Sequence, residues 1–168
     1  MKSVEEFLAY AIKLEEEATL RFAELADAMQ GYGNRDVGSL FRRLSDYSRL
    51  HLADARARAG FRDMPVMLLN AYEWPDLESP EAAAIWAADP FLAKNEALEI
   101  ALASETAGYE FYKSVRDGTD DPEIRVMAAE FVDEEAEHVR WIKQWIEEER
   151  SNGGPTAATV RGVVHSGG

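Results

Sequence analysis

The chain has 168 residues, which is enough for one domain with a sizeable hydrophobic core. It contains no cysteine, and this excludes disulfides, thiolate zinc sites and iron–sulfur clusters. Its formal net charge of −14 argues against nucleic acid or an acidic membrane surface as a partner. The sequence has neither an apolar signal region at its N-terminus nor a stretch that approaches a membrane span, so we expect a cytoplasmic protein.

Hydrophobic periodicity predicts four helices, each bounded by residues that cap or break helices. Ser3 and Glu6 form a capping box at the start of the first helix. Residues suited to N-capping precede every predicted helix: Ser3, Asn34 or Asp36, Asp89 and Asp121. The predicted helices cover about residues 3–30, 35–59, 90–117 and 121–150. The fold class is therefore all-α, with a four-helix domain over residues 1–150.

Two segments lie outside this helical pattern. Residues 60–89 are too many for a tight turn and contain prolines, methionines and aromatic residues, with a short helical patch at 81–88. We expect a long crossover that packs on the helices. Residues 151–168 are rich in glycine, serine and threonine, and we expect them to form a flexible tail.

The core-facing seam of each helix is interrupted by polar residues. The apolar residues of helix 4 recur at steps of three and four, and Glu135 and His138 occupy two positions of the same stripe. In helix 1, Glu15 falls in the middle of the apolar arc, whereas Glu16 and Glu17 point towards solvent. A carboxylate on a buried seam costs several kcal/mol unless something pairs with it. A Glu and a His spaced i, i+3 lie on one face, where they suit one metal centre or a simple hydrogen bond.

The chain also contains an internal repeat. Helices 1 and 3 superimpose at an offset of 90 residues, which places Glu15 on Glu105. Helices 2 and 4 superimpose at an offset of 87, which places His51 on His138 and Ser48 on Glu135. The chain is therefore predicted to be two helical hairpins, each presenting an inward Glu and an inward His.

The depth of these residues along the helices agrees with this pattern. At ~1.5 Å per residue, the polar positions of all four helices lie on one level, ~24 Å from the turns. Two interpretations follow, a metal site or a buried polar cluster without metal. Four seams that are interrupted at one depth favour the metal site.

At this point the sequence resembles the ferritin-like di-iron carboxylate family, and within it the rubrerythrins. The residues that carry the resemblance are the inward Glu of two helices, the Glu-x-x-His pair of helix 4, His51, and the local sequences at 15–26 and 105–112. The resemblance covers roughly residues 3–150. It implies a ferritin-like four-helix bundle of two antiparallel hairpins joined by the crossover. It also implies that two irons are bound by a set of five residues: Glu15, His51, Glu105, Glu135 and His138.

The activity that the resemblance implies is reduction of peroxide, or oxidation of Fe(II) by peroxide or oxygen. Tyr112 and Tyr109 could line the site as hydrogen-bond donors, or could be core aromatics. Rubrerythrin-like chains commonly pair, which implies a homodimer. Many rubrerythrins carry a rubredoxin-like domain with two Cys-x-x-Cys pairs, and this chain has no cysteine. Reductive turnover would therefore require an external electron donor.

One position departs from the family pattern. The second Glu-x-x-His would place Glu at position 48, where this chain has Ser48. Two Fe(II) ions carry four positive charges, and the three remaining glutamates supply three negative ones. A bridging hydroxide, a small-molecule carboxylate, or movement of Glu134 or Glu137 could compensate. Otherwise the site would hold one metal well, or zinc or manganese. The alternatives to an enzyme are then a metal-binding bundle without turnover, or an iron-storage protein.

Overall fold

The computed structural model describes residues 1–67 and 89–152. Four α-helices and no strand occur in these ranges: α1 (Val4–Gly31), α2 (Arg35–Ala59), α3 (Lys94–Gly118) and α4 (Pro122–Asn152). Within the described residues, no helix combines the length and apolar character that a membrane span requires. The predicted all-α fold of two helical hairpins, α1–α2 and α3–α4, is confirmed.

Two of the predicted caps are present. Ser3 Oγ accepts a hydrogen bond of 3.1 Å from the backbone N–H of Glu6, and α1 begins at the next residue after Ser3. Asp121 Oδ1 accepts from the backbone N–H groups of Glu123 and Ile124, at 2.8 and 3.2 Å, in front of α4. Short polar side chains satisfy donors that an α-helix leaves unpaired in its first turn, so both helix starts could be located from the sequence.

The start of α3 was predicted wrongly. Asp89 and Pro90 do not open the helix, which begins four residues later at Lys94. The Asp89 carboxylate accepts a hydrogen bond of 2.8 Å from the N–H of Phe91, and the Asp89 carbonyl accepts one of 3.1 Å from Leu92. These bonds close a turn with proline at its second position, a conformation that Asp-Pro favours as readily as a helix start.

Asn34 also has a different role from the predicted one. It stands at the N-cap position of α2, but its side chain makes no capping hydrogen bond. Instead, Asn34 Nδ2 donates to the carbonyl of Leu92 at 2.8 Å. This bond ties the α1–α2 turn to the segment that enters α3, and so it links the two hairpins at this end of the bundle.

Most of the predicted crossover and tail lies outside the described residues. This applies to the helical patch predicted at 81–88 and to residues 153–168. At the start of the crossover, Met64 and Met67 are partly buried against the hydrophobic core, as expected of a segment that packs on the bundle.

The core consists of two hydrophobic clusters. The first cluster lies towards the α1–α2 turn and its large members are Phe22, Met29, Phe41, Leu44, Leu98 and Ile142. The second cluster lies towards the opposite end and its large members are Phe7, Leu8, Leu14, Tyr112, Ile124 and Phe131. Along each helix, the two clusters are separated by polar residues, which are buried except for the partly buried His51. We call these residues the polar layer: Glu15, Ser48, His51, Glu105, Glu135 and His138. Burial of the apolar side chains, at roughly 1.5–3 kcal/mol each, offsets the cost of the polar layer.

Candidate metal centre

Glu135 lies at the centre of the polar layer and is 1% exposed. Its Oε1 lies 3.2 Å from His51 Nδ1, and its Oε2 lies 3.9 Å from His138 Nδ1. Neither oxygen accepts a hydrogen bond from any residue in the described part of the chain. A buried carboxylate without hydrogen bonds is costly, so a cation bound by these two oxygens would remove a large penalty.

The two histidines present the same nitrogen to the carboxylates. Their rings stack in parallel, with centroids 4.7 Å apart and an angle of 2° between the planes. His51 Nδ1 lies 3.7 Å from Glu15 Oε1, and His138 Nδ1 lies 3.0 Å from Glu105 Oε2. In both histidines, the Nδ1 atom therefore points into the polar layer.

Three of these residues form a group with the dimensions of a metal site. His51, Glu135 and His138 each offer one ligand atom, and these atoms lie within 4.8 Å of one another. Glu15 and Glu105 border the same group and are both buried. Imidazole nitrogen and carboxylate oxygen together suit iron, manganese or zinc, and no thiolate ligand is available because the chain lacks cysteine. The structure thus brings together the five residues predicted from the sequence.

Tyr112 supports one of the carboxylates. Its ring is fully buried in the second cluster, and its hydroxyl donates a hydrogen bond of 3.0 Å to Glu15 Oε1. The other oxygen of Glu15 has no hydrogen-bond partner among the described residues. Tyr109, the other tyrosine considered from the sequence, is partly buried against the second cluster, and the Lys113 ammonium lies over its ring. Of the two tyrosines, Tyr112 is the one that the structure places against the polar layer.

Ser48 lies on the buried face of α2, one turn before His51, and is 4% exposed. Its inward position is as predicted, and it contributes a hydroxyl where the repeat would place a carboxylate. The buried carboxylates of the polar layer are therefore Glu15, Glu105 and Glu135.

The acid–base properties of the layer reflect a shortage of positive charge. Burial raises the pKa of Glu135 well above its usual range, and burial also raises the pKa of Glu15. Burial alone would lower the pKa of His51, but the adjacent Glu135 and Glu15 outweigh it and raise that pKa to about 11. In the metal-free protein, a proton on His51 therefore supplies positive charge that a metal ion would otherwise bring.

Sequence reasoning did not place two aromatic side chains against the histidines, and it considered Glu134 only as a carboxylate that could move to compensate for Ser48. The rings of Tyr47 and Trp141 lie 5.1 and 5.4 Å from that of His138, measured between centroids. Glu134 Oε2 lies 3.6 Å from His51 Nε2, on the outer side of the ring. Trp141 follows His138 by three residues and therefore shares its face, a spacing that could have indicated the contact. Tyr47 and Glu134 reach a histidine on another helix, and no spacing within one helix predicts that.

Comparisons with known proteins agree with the fold. The rubrerythrin family matches residues 96–164. A solved structure of an uncharacterised conserved protein from Magnetospirillum magnetotacticum MS-1 is 34% identical in sequence, with a TM-score of 0.69. The alignment covers 87% of this chain and 95% of that one. A search of curated proteins gave no match. These similarities, together with a four-helix bundle that contains a buried Glu/His layer, show that the chain belongs to the rubrerythrin family.

Proposed function

We propose that this protein is a non-haem iron protein that reduces peroxide, or oxidises Fe(II) with peroxide or oxygen, at the polar layer. The observation that carries the proposal is Glu135, a buried carboxylate that faces the Nδ1 atoms of two histidines and accepts no hydrogen bond in the described part of the chain. Membership of the rubrerythrin family supports iron as the metal.

Five residues would hold the metal. His51 and His138 would bind through Nδ1, Glu135 would bind between them, and Glu15 and Glu105 would complete the ligand set. The chemistry that iron supplies in such a site is one-electron transfer between Fe(II) and Fe(III), coupled to cleavage of an O–O bond. The donor atoms present fit this group, because the unpaired oxygens and both imidazoles face one small volume.

The chain's own residues would orient the ligands and exclude water. Tyr112 fixes the rotamer of Glu15 through its hydrogen bond, and the stacked imidazoles hold each other's orientation. The two hydrophobic clusters close the layer from both ends. Reduction of peroxide to two waters consumes two electrons and two protons. The chain has no cysteine and hence no rubredoxin-like centre, so we propose that an external donor supplies the electrons.

A second candidate function is metal binding without turnover. Ser48 favours it, because the layer has three buried carboxylates and cannot neutralise two divalent ions on its own. In this alternative, one iron, zinc or manganese ion would occupy the group formed by His51, Glu135 and His138.

The test is the metal content per chain of protein purified from iron-supplemented cells, followed by peroxide kinetics. We expect close to two irons per chain, and oxidation of the Fe(II)-loaded protein by stoichiometric peroxide faster than that of free Fe(II). One metal ion per chain without peroxide reactivity would support the metal-binding alternative. Protein that takes up no metal, either in cells or when reconstituted anaerobically with Fe(II), would contradict both candidate functions.

Metal binding should release protons. At pH 7 the metal-free protein carries a proton on His51, since its pKa is raised to about 11, and a metal bound to Nδ1 requires the unprotonated nitrogen. As the pH falls, Glu135 and Glu15 also bind protons, because their pKa values are raised. The metal must displace these protons, so metal affinity should decrease by about tenfold per pH unit for each proton released. Calorimetric titration with Co(II) in two buffers of different ionisation enthalpy measures the number of protons released per metal ion bound. A heat that is independent of the buffer would contradict the prediction.

A further inference from the structure

The two nitrogens of His51 face two different carboxylates. Nδ1 points into the polar layer, 3.2 Å from Glu135 Oε1. Nε2 points outwards, and Glu134 Oε2 lies 3.6 Å from it. The His51 side chain is 12% exposed and that of Glu134 is 42% exposed. Glu134 therefore lies at the boundary between the buried layer and solvent.

Two carboxylates near Glu134 on α4 form ion pairs with arginines. Glu130, one turn earlier, pairs with Arg58, and Glu137, three residues later, pairs with Arg140 at 2.8 Å. Among the described residues, the ion pair of Glu134 is with His51. Of these three α4 carboxylates, Glu134 is thus the one directed at the candidate metal centre.

A carboxylate in this position has two effects on a metal-binding histidine. A ligand histidine usually donates its second ring N–H to a carboxylate, which fixes the tautomer and makes the ligating nitrogen more basic. The 3.6 Å separation exceeds a direct hydrogen bond, and the exposed Glu134 side chain can close it by a change of rotamer. The carboxylate also adds a negative charge beside the layer without being fully desolvated.

We propose that Glu134 is a positioning residue that compensates for Ser48. It would hold His51 with Nδ1 directed at the metal, and it would supply from outside the layer the negative charge that a carboxylate at position 48 would supply from inside. The buried Glu135 carboxylate, which accepts no hydrogen bond among the described residues, points independently to a cation at this place. The inference rests on the proposed function only in requiring that metal binds to the polar layer.

The test compares Co(II) affinity and absorption spectra of the wild type with two variants. Glu134→Gln removes the charge and keeps the shape, and Glu137→Gln makes the same change on an exposed carboxylate of the same helix. We expect Glu134→Gln to weaken Co(II) binding by about 10–100-fold and to change the visible spectrum of the bound ion. Glu137→Gln should stay within about twofold, and the helical content by circular dichroism should be the same in all three proteins.

Repeating the Glu134→Gln substitution in a Ser48→Glu variant tests whether Glu134 compensates for the missing carboxylate at position 48. In Ser48→Glu protein, the inner carboxylate supplies the charge that Glu134 supplies in the wild type. Adding Glu134→Gln should therefore weaken Co(II) binding at least about threefold less than it does in the wild-type background. Equal affinity of the wild type and Glu134→Gln would overturn the inference and leave the proposed function intact. An equally large loss in both backgrounds would show that Glu134 does not compensate for Ser48. A wild type that binds no Co(II) would overturn the inference and the proposed function together.

Discussion

Glu135→Leu should abolish metal binding and, at the same time, stabilise the metal-free protein. Without metal, His51 contacts Glu135 at 3.2 Å and Glu15 at 3.7 Å, and His138 contacts Glu105 at 3.0 Å, so each histidine keeps a carboxylate partner when Glu135 is removed. Glu135 is the most costly of the three carboxylates to bury, because burial raises its pKa well above the usual range and neither of its oxygens accepts a hydrogen bond in the described part of the chain. Its replacement by leucine on an otherwise apolar seam should raise the free energy of unfolding by about 1–3 kcal/mol. Urea denaturation in the presence of a chelator measures the stability, and Co(II) titration measures the binding.

The matched control is Glu137→Leu, because Glu137 lies on the same helix, 50% exposed, and pairs with Arg140 in solvent. It should change stability by no more than about 0.5 kcal/mol and leave metal binding intact. If metal-free Glu135→Leu protein is instead less stable than the wild type, the histidines need the charge of Glu135. The polar layer would then be a self-sufficient network of ion pairs without need of a metal.

Ser48→Glu should have the opposite effect on the metal-free protein and extend what the site can bind. It adds a fourth buried carboxylate one turn from His51, matching the spacing of Glu135 and His138. Without metal this should cost about 2 kcal/mol or more of stability, because the new charge has no counter-ion. With metal, two ions per chain should be held, the second at least about tenfold more tightly than in the wild type. Denaturation with and without Fe(II) under anaerobic conditions, together with metal analysis, measures both effects.

Ser48→Gln separates charge from size in this experiment. It should destabilise the metal-free protein through its bulk, yet it should not improve the second site. If the wild type shows almost no peroxide reactivity and Ser48→Glu gains it, the natural protein is a metal binder rather than an enzyme. If the wild type already holds two ions and Ser48→Glu changes neither affinity nor reactivity, the loss of this carboxylate has no functional consequence.

The convergence of the polar layer could be predicted because it follows from helix geometry alone. The period of the helix selected Glu15 rather than Glu16 or Glu17, and in the structure Glu15 is fully buried while Glu16 pairs with Arg56 at the surface. The fixed rise per residue placed the polar positions of all four helices at one depth. The helical period and the rise per residue do not depend on how the helices pack, so a single sequence was sufficient to predict the burial and the depth of these residues.

Features that depend on contacts between helices could not be obtained in this way. The direction of each imidazole, and therefore the opposite environments of the two nitrogens of His51, depends on the packing of α2 against α1 and α4. Glu134 lies off the seam, and its approach to His51 depends on a side-chain rotamer. The prediction of where α3 starts was wrong for a different reason, since Asp89 and Pro90 suit a turn and a helix start equally well.

The separation of the two hydrophobic clusters has a consequence for how such a protein can evolve. The first cluster and the second cluster each pack within themselves, and the polar layer lies between them. A substitution at a position such as 48 can therefore alter the set of ligands without removing an apolar contact from either cluster. Lineages of this fold can then lose, regain or relocate a ligand while the scaffold keeps its stability. A serine in place of a carboxylate, with an acidic residue nearby on another helix, is the kind of intermediate that this arrangement permits.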